Sequence, residues 1–316
     1  MRLKSALRRG VAAAVIAGIV VSSGIPAYAK TWDIADGDIT VKGASDESGN
    51  YNNVKQGEKD FEKDEGETVI TGESDKNTVT IDTSEGNVDV TFDDLKIDVS
   101  GKKEGDGSDD SPVDVGKAAV TVRGDHDATI ELDGDNELKS GDYNAGLEKN
   151  GHESEGTLTI KDDKGKDGSL TAEGGFGGAG IGGGIESTGS NITIRGGTIE
   201  AVGGSNAAGI GDGAGRASDD TDDPNPGDLY ICGDAEVTAK AGSQMTDAKA
   251  PAIGGSYGEV PTENLSDDEH KVTGGRLTRL NADGTVIRCL MISGACSREE
   301  PQPKFFPATM MSPDWI

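Results

Sequence analysis

The sequence is short of cations, of soft metal ligands and of aromatic rings. Against 58 Asp and Glu stand only 30 Lys and Arg, giving a net charge of −28 over 316 residues. That deficit excludes a protein that grips nucleic-acid phosphates, because such grip comes from Lys and Arg. It also excludes docking on an anionic membrane surface. Three His and three Cys are too few for a closed zinc site of ordinary spacing. Aromatics make up 4% and hydrophobic residues 33%. With this much charge, such a composition is also that of a disordered chain, so order has to be read from pattern.

Long apolar runs are missing too, with one exception near the start. Lys4, Arg8 and Arg9 precede an uncharged run from Val11 to Val21, and Ala27-Tyr28-Ala29 follows. A basic start, a short apolar centre and a small-x-small end are the three parts of a secretory signal peptide. The run is too short to span a bilayer, which takes about 20 apolar residues. Residues 1–29 are therefore expected to be cleaved, leaving a secreted chain with a charge of −32.

What is present is short alternation. DITVKG from Asp38, NTVTID from Asn77, VDVTFDDLKIDV from Val88, ATIELDGDNELKSG from Ala128 and TLTIKDD from Thr157 each read as half-buried strands. Each ends in Gly, Asp or Asn, which tolerate turn conformations. The second half repeats openly. Units starting at Thr157, Asn191 and Asp228 each run strand, turn, strand, Gly-rich turn and a short A-x-I-G strand. No unit can bury its own apolar side, so the units must stack. The pattern predicts an all-β, right-handed parallel β-helix over residues 30–275. Ile192, Ile194, Ile199 and Ala201 are expected to point inward. A sandwich and a disordered chain are the other readings of the same composition. Acidic loops are expected to protrude at Gly101–Asp114 and Arg216–Asp228. From about Arg276 the Gly-rich units stop, and residues 276–316 read as an irregular tail, either a cap or a stretch foreign to the repeat. The spacing of Cys289 and Cys296 suits a small disulfide, which leaves Cys232 unpaired.

The segments from Val79 to Gly101, from Ala118 to Gly141 and from Gly156 to Asp163 resemble the secreted carbohydrate-binding β-helix proteins of clostridia and their relatives. GAGIGGG and NITIRGGTIEAVGG are similar to repeats in large surface proteins of the same bacteria. The resemblance covers roughly Thr68 to Gly255. It implies a right-handed β-helix, Ca²⁺ held by carboxylates at the coil edges, and binding of plant or microbial polysaccharide. No dockerin, sorting signal or surface-layer module accompanies it.

The candidate Ca²⁺ ligands are Asp125 and Asp127, Asp133 and Asp135, and Asp162, Asp163 and Asp167. Carboxylates spaced by two across a turn can address one cation, and Ca²⁺ takes six to eight oxygens. KDDKGKDG partly imitates a calcium loop but has Gly165 at a ligand position and lacks the distal Glu. Equally, each cluster reads as a solvated acidic turn. GAGIGG at Gly178–Gly183 fits a dinucleotide fingerprint only formally, because no helix pattern follows. For sugar stacking, Tyr51 and Tyr143 sit in polar turn contexts, whereas Phe92 reads as core. Three functions are weighed. The first is a non-catalytic, Ca²⁺-linked polysaccharide-binding or adhesion protein, its glycan possibly acidic like pectin. The second is a structural stalk or cell-surface spacer. The third is a polysaccharide lyase or hydrolase, for which Arg123, Arg195 and Lys161 are the only tempting cations. The first is favoured.

Overall fold

The computed structural model describes residues 29–47, 49–101, 103–104, 115–165, 167–189, 191–215, 228–243, 250–255, 258–259 and 270–292. The expected targeting segment, most of both acidic loops and the tail after residue 292 lie outside these.

Three strand columns run along a parallel β-helix. The first face stacks Ala128–Asp133, Leu158–Lys161, Ile192–Ile194, Leu229–Ile231 and His270–Val272. The second stacks Asp135–Lys139, Ser169–Glu173, Thr198–Val202, Glu236–Lys240 and Gly275–Leu280. The third stacks Val79–Asp82, Val120–Arg123, Leu147–Glu148, Ile181–Gly182, Ile210–Gly211 and Ile253–Gly255. The long strand Val88–Asp98 bends through the first corner. It pairs with the first face by its start and with the second by its end. Parallel rungs joined by crossing turns take the right-handed sense. The repeat starts expected at 34 and 37 residues apart appear as the registers Leu158↔Ile192 and Ile192↔Leu229.

Alternation places one side chain in two inside the coil, and stacking lines these up. Val90, Ile130, Ile160, Ile194 and Ile231 form one interior column, all buried. Val79, Val120, Leu147, Ile181, Ile210 and Ile253 form another. The four residues expected inward from Asn191 onward are all buried, and so is Phe92. Because Ile160 has equivalent neighbours above and below, its truncation leaves a cavity that no side chain can slide into. Ile160→Ala is expected to cost about 3–4 kcal/mol in urea unfolding.

The corner between the first and second faces has a simple backbone rule. In six coils one residue turns left-handed there, Gly72 at φ 92°, Asp94 at 51°, Gly134 at 63°, Gly197 at 82°, Gly233 at 68° and Gly275 at 77°, whereas the longer turn from Asp162 to Gly168 has none among its described residues. Asp94 is the exception in side chain, and its carboxylate is used. Its Oδ1 accepts the amide of Asp135 one coil on, at 3.0 Å. Asn136, buried beside the same corner, ties three coils. Its Oδ1 accepts from the Leu95 amide at 2.9 Å, and its Nδ2 donates to the carbonyls of Asp133 and Ser169. The glycines of GAGIGG serve close approach instead of phosphate. A Cβ on Gly180 would sit 2.4 Å from the Val202 nitrogen.

Both ends depart from the parallel rule. At the start, Ile39–Asp46 pairs parallel with Val79–Asp82 and antiparallel with Gly49–Gln56, which carries Glu62–Asp64 beyond it. At the far end, two expectations are corrected. The coil does not stop at residue 275. Arg276 to Leu280 pair parallel with Glu236–Lys240, and Leu277 is buried. Val286–Ile292 then folds back antiparallel as a hairpin. The disulfide expectation also fails. Cys232 is disulfide-bonded and Cys289 is a free, exposed thiol. Sequence spacing favoured the near pair, but Cys289 lies on the hairpin strand, where its Sγ faces Thr278 Oγ1 at 3.7 Å.

Candidate functional site: a polar groove beside the first face

Where the start hairpin stands against the first face, it walls a groove of about 340 Å³. Asn50, Tyr51 and Asn52 come from Gly49–Gln56, Glu67 from the approach to Thr68–Ser74, and Asp89 and Thr91 from Val88–Asp98. Thr129 and Glu131 come from Ala128–Asp133, and Lys161 and Lys164 from the end of Leu158–Lys161 and its turn. Successive coils thus contribute successive outward side chains to one floor, as the registers Asp89↔Thr129↔Thr159 and Thr91↔Glu131↔Lys161 require.

The floor is ordered by a charge network. Glu131 is 4% exposed. Its Oε1 accepts the amides of Asp163 and Lys164, each at 2.8 Å, and its Oε2 lies 3.2 Å from Lys161 Nζ. Lys161 also pairs with Asp163 at 3.0 Å. Partial burial works against the Lys161 charge, but its hydrogen bond to Asp163 and its pairing with Glu131 outweigh it and raise its pKa. Glu67 accepts from Lys164 and, at 2.6 Å, from Thr91 Oγ1. These two bonds, that from Lys164 foremost, hold its carboxyl below the ordinary range. Both cations of the floor are therefore fixed by both carboxylates. The hairpin wall is fixed as well. Asn52 Nδ2 donates to Thr68 Oγ1 at 2.9 Å and to the Asp89 carbonyl at 2.7 Å. Lys63 Nζ sits 4.2 Å from the Tyr51 ring centroid and pairs with Asp46 and Glu65. A ring held by a cation on one face is a stiff platform.

Of the two tyrosines singled out, Tyr51 lines this groove and Tyr143 does not. Tyr143 sits at the corner between the second and third faces with φ 74°. It meets Phe176 of the next coil edge to face, with centroids 5.8 Å apart and planes at 87°. Phe176, 39% exposed, is the partner that the sequence reading passed over.

The seven candidate Ca²⁺ ligands lie at two corners, mostly engaged with the coil itself. Asp125 is exposed in the turn before Ala128–Asp133, where Asp127 accepts the Thr157 amide at 2.8 Å. Asp135 accepts Ser169 Oγ at 2.9 Å, Asp162 accepts the Gly168 amide at 3.1 Å, and Asp163 pairs with Lys161. Asp133 and Asp167 flank one point, since a Cβ on Gly165 would meet their Oδ1 atoms at 3.6 and 2.5 Å. Among the described residues no three His, Cys, Asp or Glu side chains converge. The nearest approach to a cluster is Asp93, in register with Asp133 and next to Asp94. Burial, then the Asp133 and Asp94 charges, push the Asp93 pKa up. A raised carboxyl pKa destabilises the fold above that value, and the penalty vanishes as pH falls towards the unfolded value. Asp93→Asn is therefore expected to raise the thermal midpoint at pH 7 and to leave it unchanged near pH 3.5, as calorimetry across that range will show.

The family described as beta helix repeat matches residues 166–185 and 192–214. The chain carries β-helix repeats. The two matched stretches cover the second-face strands Ser169–Glu173 and Thr198–Val202 with their Gly-rich turns and third-face strands. No curated protein and no solved structure matches the chain. Among the described residues no helix is long and apolar enough to cross a membrane.

Proposed function

We propose that this β-helix is a secreted, non-catalytic polysaccharide-binding protein and that the groove beside the first face holds the glycan. The observation that carries the reading is the lining of that groove. Amides, hydroxyls, three carboxylates and two ammoniums surround one stiffened tyrosine, over a floor built from successive coils. Sugars need this combination of directional hydrogen bonds and one apolar ring face. The groove gathers two cations, Lys161 and Lys164, among the carboxylates of Glu67, Asp89 and Glu131. A uronate-bearing glycan meets two ammoniums side by side there.

The ammoniums are locked in ion pairs, which favours binding over catalysis. A lyase base must be able to release its proton near neutral pH, whereas Lys161 is held charged. Ca²⁺ is proposed as the cofactor, held by coil-edge carboxylates such as Asp133 and Asp167, which flank one point. The full secreted chain screened on a polysaccharide array in Ca²⁺ and again in EDTA tests the reading. Retention on one glycan class supports it, and loss in EDTA ties Ca²⁺ to it. Retention nowhere turns the reading into a spacer, and release of unsaturated uronates turns it into a lyase.

A further inference from the structure

The groove floor points along the solenoid. Glu67, Asp89, Glu131 and Lys161 carry it across four successive rungs, and rungs are spaced by about 4.8 Å. Its long direction is therefore the axis of the coil. One rung beyond Lys161 stands Arg195. Ile160 is in register with Ile194, and the Arg195 amide donates to the Ile160 carbonyl at 2.8 Å. The ladder thus carries on by one residue and sets Arg195 beside Lys161. Ile194 is buried inside the coil, so by alternation Arg195 points outward on the same face, where it is exposed. Its charge also stands apart from those in the groove. Lys161 is taken up by Glu131 and Asp163, and Lys164 by Glu67. Arg195 makes no ion pair among the described residues, in a chain with 58 acids to 30 bases.

We propose that an acidic glycan lies along the solenoid axis, with one sugar on Tyr51 and the carboxylate of a later uronate unit held by Arg195. This rests on the reading of the groove as the glycan site, and adds to it the direction of the polymer and the residue that selects its class. A guanidinium presents paired N–H donors in one plane, which match both oxygens of a carboxylate. An ammonium offers a point charge, and those of Lys161 and Lys164 are already committed to protein carboxylates. The path between is polar. Thr129 and Thr159, in register on neighbouring rungs and half-buried, turn their hydroxyls outward there. A polymer with a carboxylate on every unit meets Arg195 in whichever register it settles on the floor. A neutral polymer gains nothing from it. Arg195 is thus the specificity-determining residue of the groove.

The test is affinity electrophoresis of the full secreted chain, Arg195→Ala, Arg195→Lys and Tyr51→Ala in Ca²⁺. The gels hold polygalacturonate, its methyl ester or a neutral glycan. Esterification removes the carboxylate charge and keeps the sugar backbone. Arg195 is exposed and unpaired, so its variants are expected to fold as the wild type does. On polygalacturonate, Arg195→Ala should weaken retention by roughly tenfold or more, as the loss of hydrogen bonds to a charged group does. On the ester, its weaker retention should match that of the wild type. Arg195→Lys should recover only part, since it restores the charge without the fork. Wild-type retention of Arg195→Ala on polygalacturonate, with Tyr51→Ala released, overturns the proposal and leaves the groove as the glycan site. An equal loss on acid and ester overturns it too, because Arg195 would then be blind to the carboxylate. Retention of the wild type by neutral glycans alone overturns it and leaves the proposed function standing. Retention by no glycan removes both.

Discussion

Lys149→Met should stabilise this protein at pH 7 by about 3 kcal/mol and raise its thermal midpoint by about 5–10 °C. Lys149 follows the third-face strand Leu147–Glu148 and is fully buried. Its ammonium donates to the Ser154 carbonyl at 2.9 Å, while Ser154 Oγ is buried without a hydrogen-bond partner. Burial lowers the lysine pKa to about 8, and the Asp127 charge offsets only part of that. The folded value lies below the unfolded one of 10.5. Below pH 8 both states hold the proton, and the whole penalty is present. Between pH 8 and 10.5 the folded state releases its proton first, so stability rises with pH. Above 10.5 the penalty is gone. The advantage of the Lys149→Met variant should therefore be largest at pH 7 and shrink to the difference in packing by pH 10.5. Urea unfolding of both proteins across this range measures it. A variant that is less stable at pH 7 would show that the ammonium makes contacts beyond Ser154.

Glu131→Ala is expected to cost about 3 kcal/mol and to abolish glycan retention in the groove. The side chain is buried, yet every bond it makes is to something that cannot leave. Two backbone amides lose their acceptor at once, and Lys161 keeps only its pair with Asp163. Removing one partner of a buried pair strands the other, and this is the expensive direction. The Asp163–Lys164 turn is held by those amides, so Lys164 loses its position over Glu67. Glu131→Gln keeps the oxygen that accepts both amides and loses only the charge facing Lys161, so it should recover part of the stability. Urea unfolding and affinity electrophoresis on the same three proteins separate the two effects. Full retention by a folded Glu131→Ala protein would remove the groove floor from the binding site.

The interior of the solenoid was readable because each coil repeats one rule. Ile192, Ile194, Ile199 and Ala201 alternate with polar residues, and alternation in a stacked strand has only one inside. Glycine marked most corners between the first and second faces because left-handed turns recur there, and of the left-handed residues at those corners only Asp94 is not a glycine. The groove was half hidden. Its wall strand GNYNNVKQ shows no apolar alternation, since its inward residues besides Val54 are Asn52 and Gln56. Those are buried with their hydrogen bonds supplied by other coils, Asn52 from Thr68 and Asp89 and Gln56 from the Asp33 carbonyl. A polar residue satisfied at a distance looks like a surface residue in sequence. Glu131 was hidden in the same way, at an outward position of the strand read from ATIELDGDNELKSG. Tyr51 was found because an aromatic ring in a polar stretch is conspicuous. Phe176 was not, because its value lies in Tyr143, a coil away. The cysteines misled because nearness in sequence stood in for nearness across coils.

The central claim is that glycan lies in the groove against Tyr51. It is met most directly by affinity electrophoresis of the wild-type chain, Tyr51→Ala and Tyr143→Ala through the glycan that the array identifies. Tyr51 stacks on one sugar ring in this account, and its loss should weaken retention by roughly tenfold or more, about 1.5 kcal/mol. Tyr143→Ala should migrate like the wild type. Retention lost in Tyr143→Ala and kept in Tyr51→Ala would contradict the claim and move the site to the corner that Tyr143 shares with Phe176.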